Sequence, residues 1–122
     1  MSLPTDYKAR KSTPICSGCL DYFPDALAAV SRLSLKANEK HNPGQKLHWS
    51  KGKSSDHADC LVRHLLERGT LDAEMDESHT VHVAWRALAL LQTEIERNKA
   101  NAETSNRVDQ IVVQENYDEL DC

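Results

Sequence analysis

Hydrophobic positions recur at helical spacing over three stretches of this 122-residue chain. The first begins at Pro24, in the first-turn position that proline favours. Leu27, Val30, Leu33 or Ser34, and Ala37 follow on one face. Asn42-Pro43-Gly44 closes this helix, because proline cannot continue it and glycine permits the turn. The second helix, capped by Ser54 or Ser55 and ending near Gly69, carries Ala58, Leu61, Val62 and Leu65 as its inward stripe. The longest follows Ser78, with Val81, Ala84, Trp85, Leu88, Leu91 and Ile95 on one face and Val83 and Leu90 on another. A helix apolar nearly all round is buried on both sides, which in so short a chain predicts packing against another subunit. From Asn98 the pattern fails, and only the patch Ile111–Val113 remains to dock on a partner as a strand or helix turn, or to stay loose.

These stretches predict an all-α fold in three parts. Residues 1–15 are polar, hold two prolines and read as a flexible arm; residues 16–97 form a helical domain; residues 98–122 are an acidic tail. Composition agrees, since aromatic residues are too few for a β-sandwich. The net charge of −4 matches the sum over the tail alone, so the body is near neutral. That is not the basic excess expected of a protein that coats nucleic acid. No apolar run approaches the ~20 residues of a membrane span, and no apolar core follows the basic N-terminus as in a secretory signal. Cytoplasm is the expected location. Outside a secretory context the four cysteines do not predict a disulfide framework. Cys16 and Cys19 have the spacing of half a zinc knuckle, and with Cys60 and a histidine they would define a small zinc-binding or adaptor domain; without a second CxxC, a turn of small residues is the simpler reading.

The polar residues then supply candidate chemistry. The stretch Lys36–Lys53 crowds Glu39, His48, Trp49 and several lysines around the Asn-Pro-Gly turn, which suits a polyanionic ligand with a flat aromatic part, as in a nucleotide. Asp56, Asp59 and Arg63 recur at three and four residues, so their side chains converge. Two carboxylates one turn apart suit a divalent cation, and equally suit compensation of the helix dipole with one ion pair. Residues 70–78 form an acidic connector that lacks the EF-hand pattern. His79, His82 and Arg86 meet on one edge of the long helix. With neither a phosphate loop nor a nucleophile elbow, metal-assisted hydrolysis of a nucleotide is the reaction class left.

The runs SGCLDYFPDAL, NEKHNPGQKLHWSKGKSSDHADCLVRHLLERG and H-x5-WRALALLQ resemble the small phage-encoded dATP/dGTP diphosphohydrolases, MazZ-like members of the MazG-like all-α nucleotide pyrophosphohydrolases. The resemblance covers about residues 16–97. It implies a helical bundle completed by homodimer or homotetramer formation, and Mg²⁺ or Mn²⁺ held by helix carboxylates. The implied reaction cleaves a deoxypurine triphosphate, dGTP first and dATP second, to the monophosphate and pyrophosphate. In a phage the resulting dGMP would supply 2-aminoadenine nucleotide synthesis. Glu39 and Asp59 are the expected catalytic carboxylates, with Asp56 and Asp76 as further metal ligands. Lys51, Lys53, Arg63 and Arg86 would hold phosphates with His79 assisting, while Lys36, Asn38, His41, Asn42 and Trp49 complete the substrate site. One departure stands out: the family's ExxE is reduced here to Lys36-x-x-Glu39, which leaves the ligand set open.

Overall fold

The computed structural model describes residues 3–112, and within them the architecture is all-α with one minimal hairpin. Helix α1 (Tyr7–Lys11) is followed by a π-turn at Cys16–Leu20, then α2 (Pro24–His41), a 3₁₀ turn at Lys51–Lys53, and α3 (His57–Leu66). Strands β1 (Leu71–Asp72) and β2 (Glu77–Ser78) lead into α4 (His79–Val112). The arm expected to lack order thus carries one helical turn, because the Asp6 carboxylate accepts from Ala9 N–H at 2.9 Å and caps it.

Helix α2 follows its sequence signals. Pro24 stands in its first turn, Asn42 ends it, and Gly44 takes a left-handed φ of 78° in the turn beyond. Its expected stripe faces α4: Leu33 is buried, and Leu27, Val30 and Ala37 are half-buried. Ser78 caps α4 as expected, its Oγ accepting from Val81 N–H at 3.3 Å.

Two expectations are corrected. Helix α4 does not stop near Asn98 but runs on to Val112, because residues 98–108 contain neither glycine nor proline and include Ala, Glu, Lys and Arg, which favour helix without needing burial. Val113 and the acidic residues from Glu115 onward lie outside the described residues, and so does the docking expected of the Ile111–Val113 patch.

Helix α3 is rotated from the expected phase. Its inward face toward α4 is His57, Cys60, Leu61 and His64, while Ala58, Val62 and Leu65 of the expected core stripe face out, Val62 being 52% and Leu65 41% exposed. The facing edge of α4 explains this, since it presents His79, His82 and Arg86 and so recruits polar groups from α3. Apolar side chains of α3 are left on the surface.

The acidic connector is the hairpin itself, with Leu71 opposite Ser78 and Asp72 opposite Glu77. Asp76 turns it with a left-handed φ of 54°, a conformation that aspartate tolerates better than most residues. A ladder of cations on α2 holds it down. Arg32 and Lys36 each lie 3.5 Å from the buried Glu77 carboxylate, and Lys40 pairs with Glu74. Lys36 also donates to the Asp76 carbonyl at 3.0 Å.

The core is small. Only Leu33, Cys60 and Ala89 are buried apolar residues among those described, and no side chain is completely enclosed.

Candidate functional site

Helix α2, the connection 42–56 and one face of α4 enclose a groove of about 970 Å³. Its floor is apolar, including Leu33, Leu88, Leu91 and Ile95, and its rim carries Asn38, His41, Asn42, Trp49, Lys51, Lys53 and Arg86. Those seven rim residues were all expected from sequence to contact substrate, so the groove brings half of the expected site together.

Most of the rim groups are held by their neighbours. Asn38, buried near the end of α2, donates through Nδ2 to the Gln45 carbonyl at 3.0 Å, and its Oδ1 accepts from Asn42 Nδ2 at 3.2 Å. Its side chain therefore shapes the turn. His48 donates from Nδ1 to the Lys46 carbonyl, which leaves Nε2 to accept from Ser50 O–H. Trp49 meets Trp85 edge to face with centroids 5.7 Å apart, and Trp85 Nε1 donates to Ser34 Oγ at 2.8 Å, tying α4 to α2. The Lys51 ammonium sits 4.9 Å from the Trp49 ring centre and donates to both Glu96 oxygens at 3.1 and 2.8 Å. Glu96 also accepts from Gln92 Nε2, and these donors hold its carboxyl below the usual range, Lys51 foremost.

Arg86 is the hinge of the polar wall. Its Nη1 donates to Ser54 Oγ at 3.1 Å and to His57 Nδ1 at 3.0 Å, leaving Nη2 and Nε without a hydrogen bond among the described residues. Ser54 O–H donates in turn to Asp56 Oδ1 at 2.8 Å, and Cys60 S–H contacts Asp56 Oδ2 at 3.5 Å. The Ser54 and Cys60 donors pull the Asp56 carboxyl below its ordinary value. Arg63 Nη2 donates to Cys60 Sγ, so Asp56 and Arg63 meet through the thiol.

The other expected site residues lie elsewhere. Lys36 is spent on Glu77 and the Asp76 carbonyl. Glu39, Asp59 and Asp76 are exposed and make no ion pair among the described residues, and Arg63 does not line the groove. His79 points away from it, with Nε2 2.9 Å from Glu67 Oε2 and Nδ1 2.9 Å from His64 Nδ1. His82 stacks on His64 with centroids 4.1 Å apart, and its Nε2 lies 3.0 Å from Asp72 Oδ2, close in distance but off the hydrogen-bond direction. Burial, followed by the neighbouring cations, pushes His64 below the usual imidazole range; burial does the same to His82 against the pull of Asp72.

The four carboxylates expected to bind metal are not brought together among the described residues. Among the described residues no three His, Cys, Asp or Glu side chains converge as metal ligands, and Asp56 already accepts from Ser54 and Cys60. Cys16 and Cys19 stand on the π-turn as free thiols, Cys16 donating to Asp21 Oδ1 at 3.6 Å, and Cys60 is a buried free thiol bonded to Asp56 and Arg63 instead.

Sequence reading missed His57, Trp85, Gln92 and Glu96 as groove residues or their supports. The signal for His57 was its spacing to Cys60, Leu61 and His64, which repeats at three, four and seven residues.

No curated protein and no solved structure matches the chain. A family model described as dATP/dGTP diphosphohydrolase, N-terminal, matches residues 6–103. This groove, with its facing indoles and its lysine and arginine rim, is thus the candidate site of a chain that belongs to the dATP/dGTP diphosphohydrolase family.

Proposed function

We propose that the chain hydrolyses a deoxypurine nucleoside triphosphate, dGTP in preference to dATP, to the monophosphate and pyrophosphate. In a phage-infected cell the dGMP so formed would supply 2-aminoadenine nucleotide synthesis. The observation that carries the reading is one groove that joins an aromatic wall, Trp49 and Trp85, to the cations of Lys51, Lys53 and Arg86. A base stacked on an indole gains ~1–3 kcal/mol with little regard to sequence, and cations beside it neutralise a triphosphate. In this reading Trp49 lies against the base, and Asn38 and Asn42 fix the turn that carries it. Lys53 and the free edge of Arg86 take phosphate oxygens. Lys51 joins them by exchanging the Glu96 carboxylate for phosphate.

Mg²⁺ or Mn²⁺ is the proposed cofactor, supplying charge neutralisation and an acidified water when bound. Glu39, Asp56, Asp59 and Asp76 are its proposed ligands, and they would need rearrangement or a second copy to converge. The test is pyrophosphate release from each of the four dNTPs and GTP, with Mg²⁺, with Mn²⁺ and with chelator. Release from dGTP and dATP only in the presence of a metal is the expected result. Absence of pyrophosphate from every nucleotide with either metal would sink the proposal.

We also propose a homodimer or homotetramer. Support comes from an apolar face left open outside the groove: Val62, Leu65 and Leu66 on α3, the last 77% exposed. A soluble chain gains ~1.5–3 kcal/mol by burying each such side chain. Leu65→Glu, on the outer face of α3 and away from the groove, should therefore weaken assembly by about 10- to 100-fold, seen as a lower mass in light scattering at micromolar protein. An unchanged mass would remove α3 from the interface.

A further inference from the structure

We infer that His57 selects the base, its Nε2–H donating a hydrogen bond to the N7 acceptor that adenine and guanine share. This deepens the proposed function and rests on it. His57 lines the groove at the start of α3 and is only 5% exposed, among the most buried polar residues described. Its proton is placed by its neighbour. Arg86 Nη1 donates to Nδ1 at 3.0 Å, and a guanidinium has no acceptor to offer, so Nδ1 holds the lone pair and Nε2 the hydrogen. Nε2–H is then a buried donor with no partner among the described residues. Such groups are rare in folded proteins, because water is lost without replacement.

What completes it follows from the surroundings. The His57 ring lies 6.2 Å from that of Trp85, whose own neighbour is Trp49, so the donor lies beside the aromatic wall. A neutral N–H in that setting suits a neutral ring acceptor better than a phosphate oxygen, for which the groove already holds Lys51, Lys53 and the free edge of Arg86. At position 6 adenine presents a donor and guanine an acceptor, whereas both present N7 as an acceptor and neither pyrimidine has one. A single donor of fixed tautomer on N7 thus accepts both deoxypurines and rejects dCTP and dTTP. Nε2 is closed to solvent in the free groove, so the base reaches it by displacing groove side chains. The connection 42–56 is tied to α4 by the exposed Lys51–Glu96 pair, by Arg86 on Ser54 and by Trp49 against Trp85, and the base must part the last of these.

The decisive measurement compares dGTP and dATP with their 7-deaza analogues, using the full wild-type chain with Mg²⁺ or Mn²⁺. The expected result is a fall in kcat/KM of about 10- to 100-fold for each analogue, the scale of a lost hydrogen bond in a dry site. His57→Phe should bring the ratio of parent to analogue kcat/KM close to one, whatever general loss follows from freeing its Arg86 partner. Equal turnover of analogue and parent by the wild-type chain overturns the assignment, whatever the fate of the variant. If the parent nucleotides themselves are not hydrolysed, the proposed function fails and this inference with it. If they are and the analogues match them, this inference alone fails.

Discussion

Arg86→Ala is expected to lower kcat/KM for dGTP and dATP by about 100-fold or more and to destabilise the fold by roughly 2–4 kcal/mol. The reason is that one nitrogen holds two elements of the groove wall. Nη1 donates to Ser54 Oγ before α3 and to His57 Nδ1 inside it, from a half-buried position on α4. Each hydrogen bond from a charged donor contributes ~1.5–3 kcal/mol, and the alanine variant would leave Nδ1 buried without its donor. The guanidinium also lies 5.5 Å from the Trp85 ring centre, so the aromatic wall loses packing as well. Loss of the proposed phosphate contact of its free edge would add to these. Arg86→Lys keeps a charged donor but not the planar guanidinium with its free Nη2 and Nε edge, and should recover less than half of the lost activation free energy. A spectroscopic readout separates this account from simple unfolding: in a folded Arg86→Ala chain the His57 pKa should rise, because a cation that depresses it has gone. A His57 resonance that titrates as in the wild type, with kcat/KM within a few-fold, would refute the role.

How far the sequence revealed this arrangement depended on whether a residue's neighbours were local. The limits of α2 were legible because Pro24 and Asn42-Pro43-Gly44 act on their own backbone. The rim of the groove was half legible for the same reason: Asn38, His41, Asn42, Trp49, Lys51 and Lys53 lie within one short stretch. The phase of α3 was not legible. Hydrophobic periodicity assumes that apolar side chains seek the chain's own core, and here α4 offers α3 imidazoles and a guanidinium instead. Nor could the fate of Lys36 and Lys40 be read locally. Glu39 is their neighbour on α2, yet Lys36 and Lys40 reach across to hairpin residues 41 and 34 positions away in the chain. The continuation of α4 past Asn98 is not legible from periodicity, because the apolar face ends there while a solvated helix needs only residues that favour it.

The chain should also lose stability as pH falls from about 7 to 5, with a drop in Tm of roughly 5–10 °C. His57, His64 and His82 all have imidazoles depressed below their ordinary value in the folded chain, burial being the leading cause for each. The unfolded chain therefore takes up protons first, beginning near the ordinary imidazole pKa of ~6.5. Above that pH both states are neutral and stability is fully present; below it the unfolded state gains, and stability falls until the folded imidazoles themselves protonate. One pH unit below 6.5 can cost at most ~1.4 kcal/mol per group, and solvent around the partly exposed His64 and His82 reduces it, so about 1–2 kcal/mol in total is expected. Groups facing the trio set its limits. Asp72 favours protonated His82, whereas Arg63 and Arg86 oppose protonation of His64 and His57. The depressed carboxyls of Asp56 and Glu96 act in the same direction but in a separate window, losing their contribution only below about pH 4. His64→Phe removes the stacked and hydrogen-bonded member between His79 and His82 and should flatten the Tm profile between pH 7 and 5. Thermal melts followed by circular dichroism across that range decide the matter. A Tm that holds steady or rises on acidification would show that the folded chain accepts these protons as readily as the unfolded one.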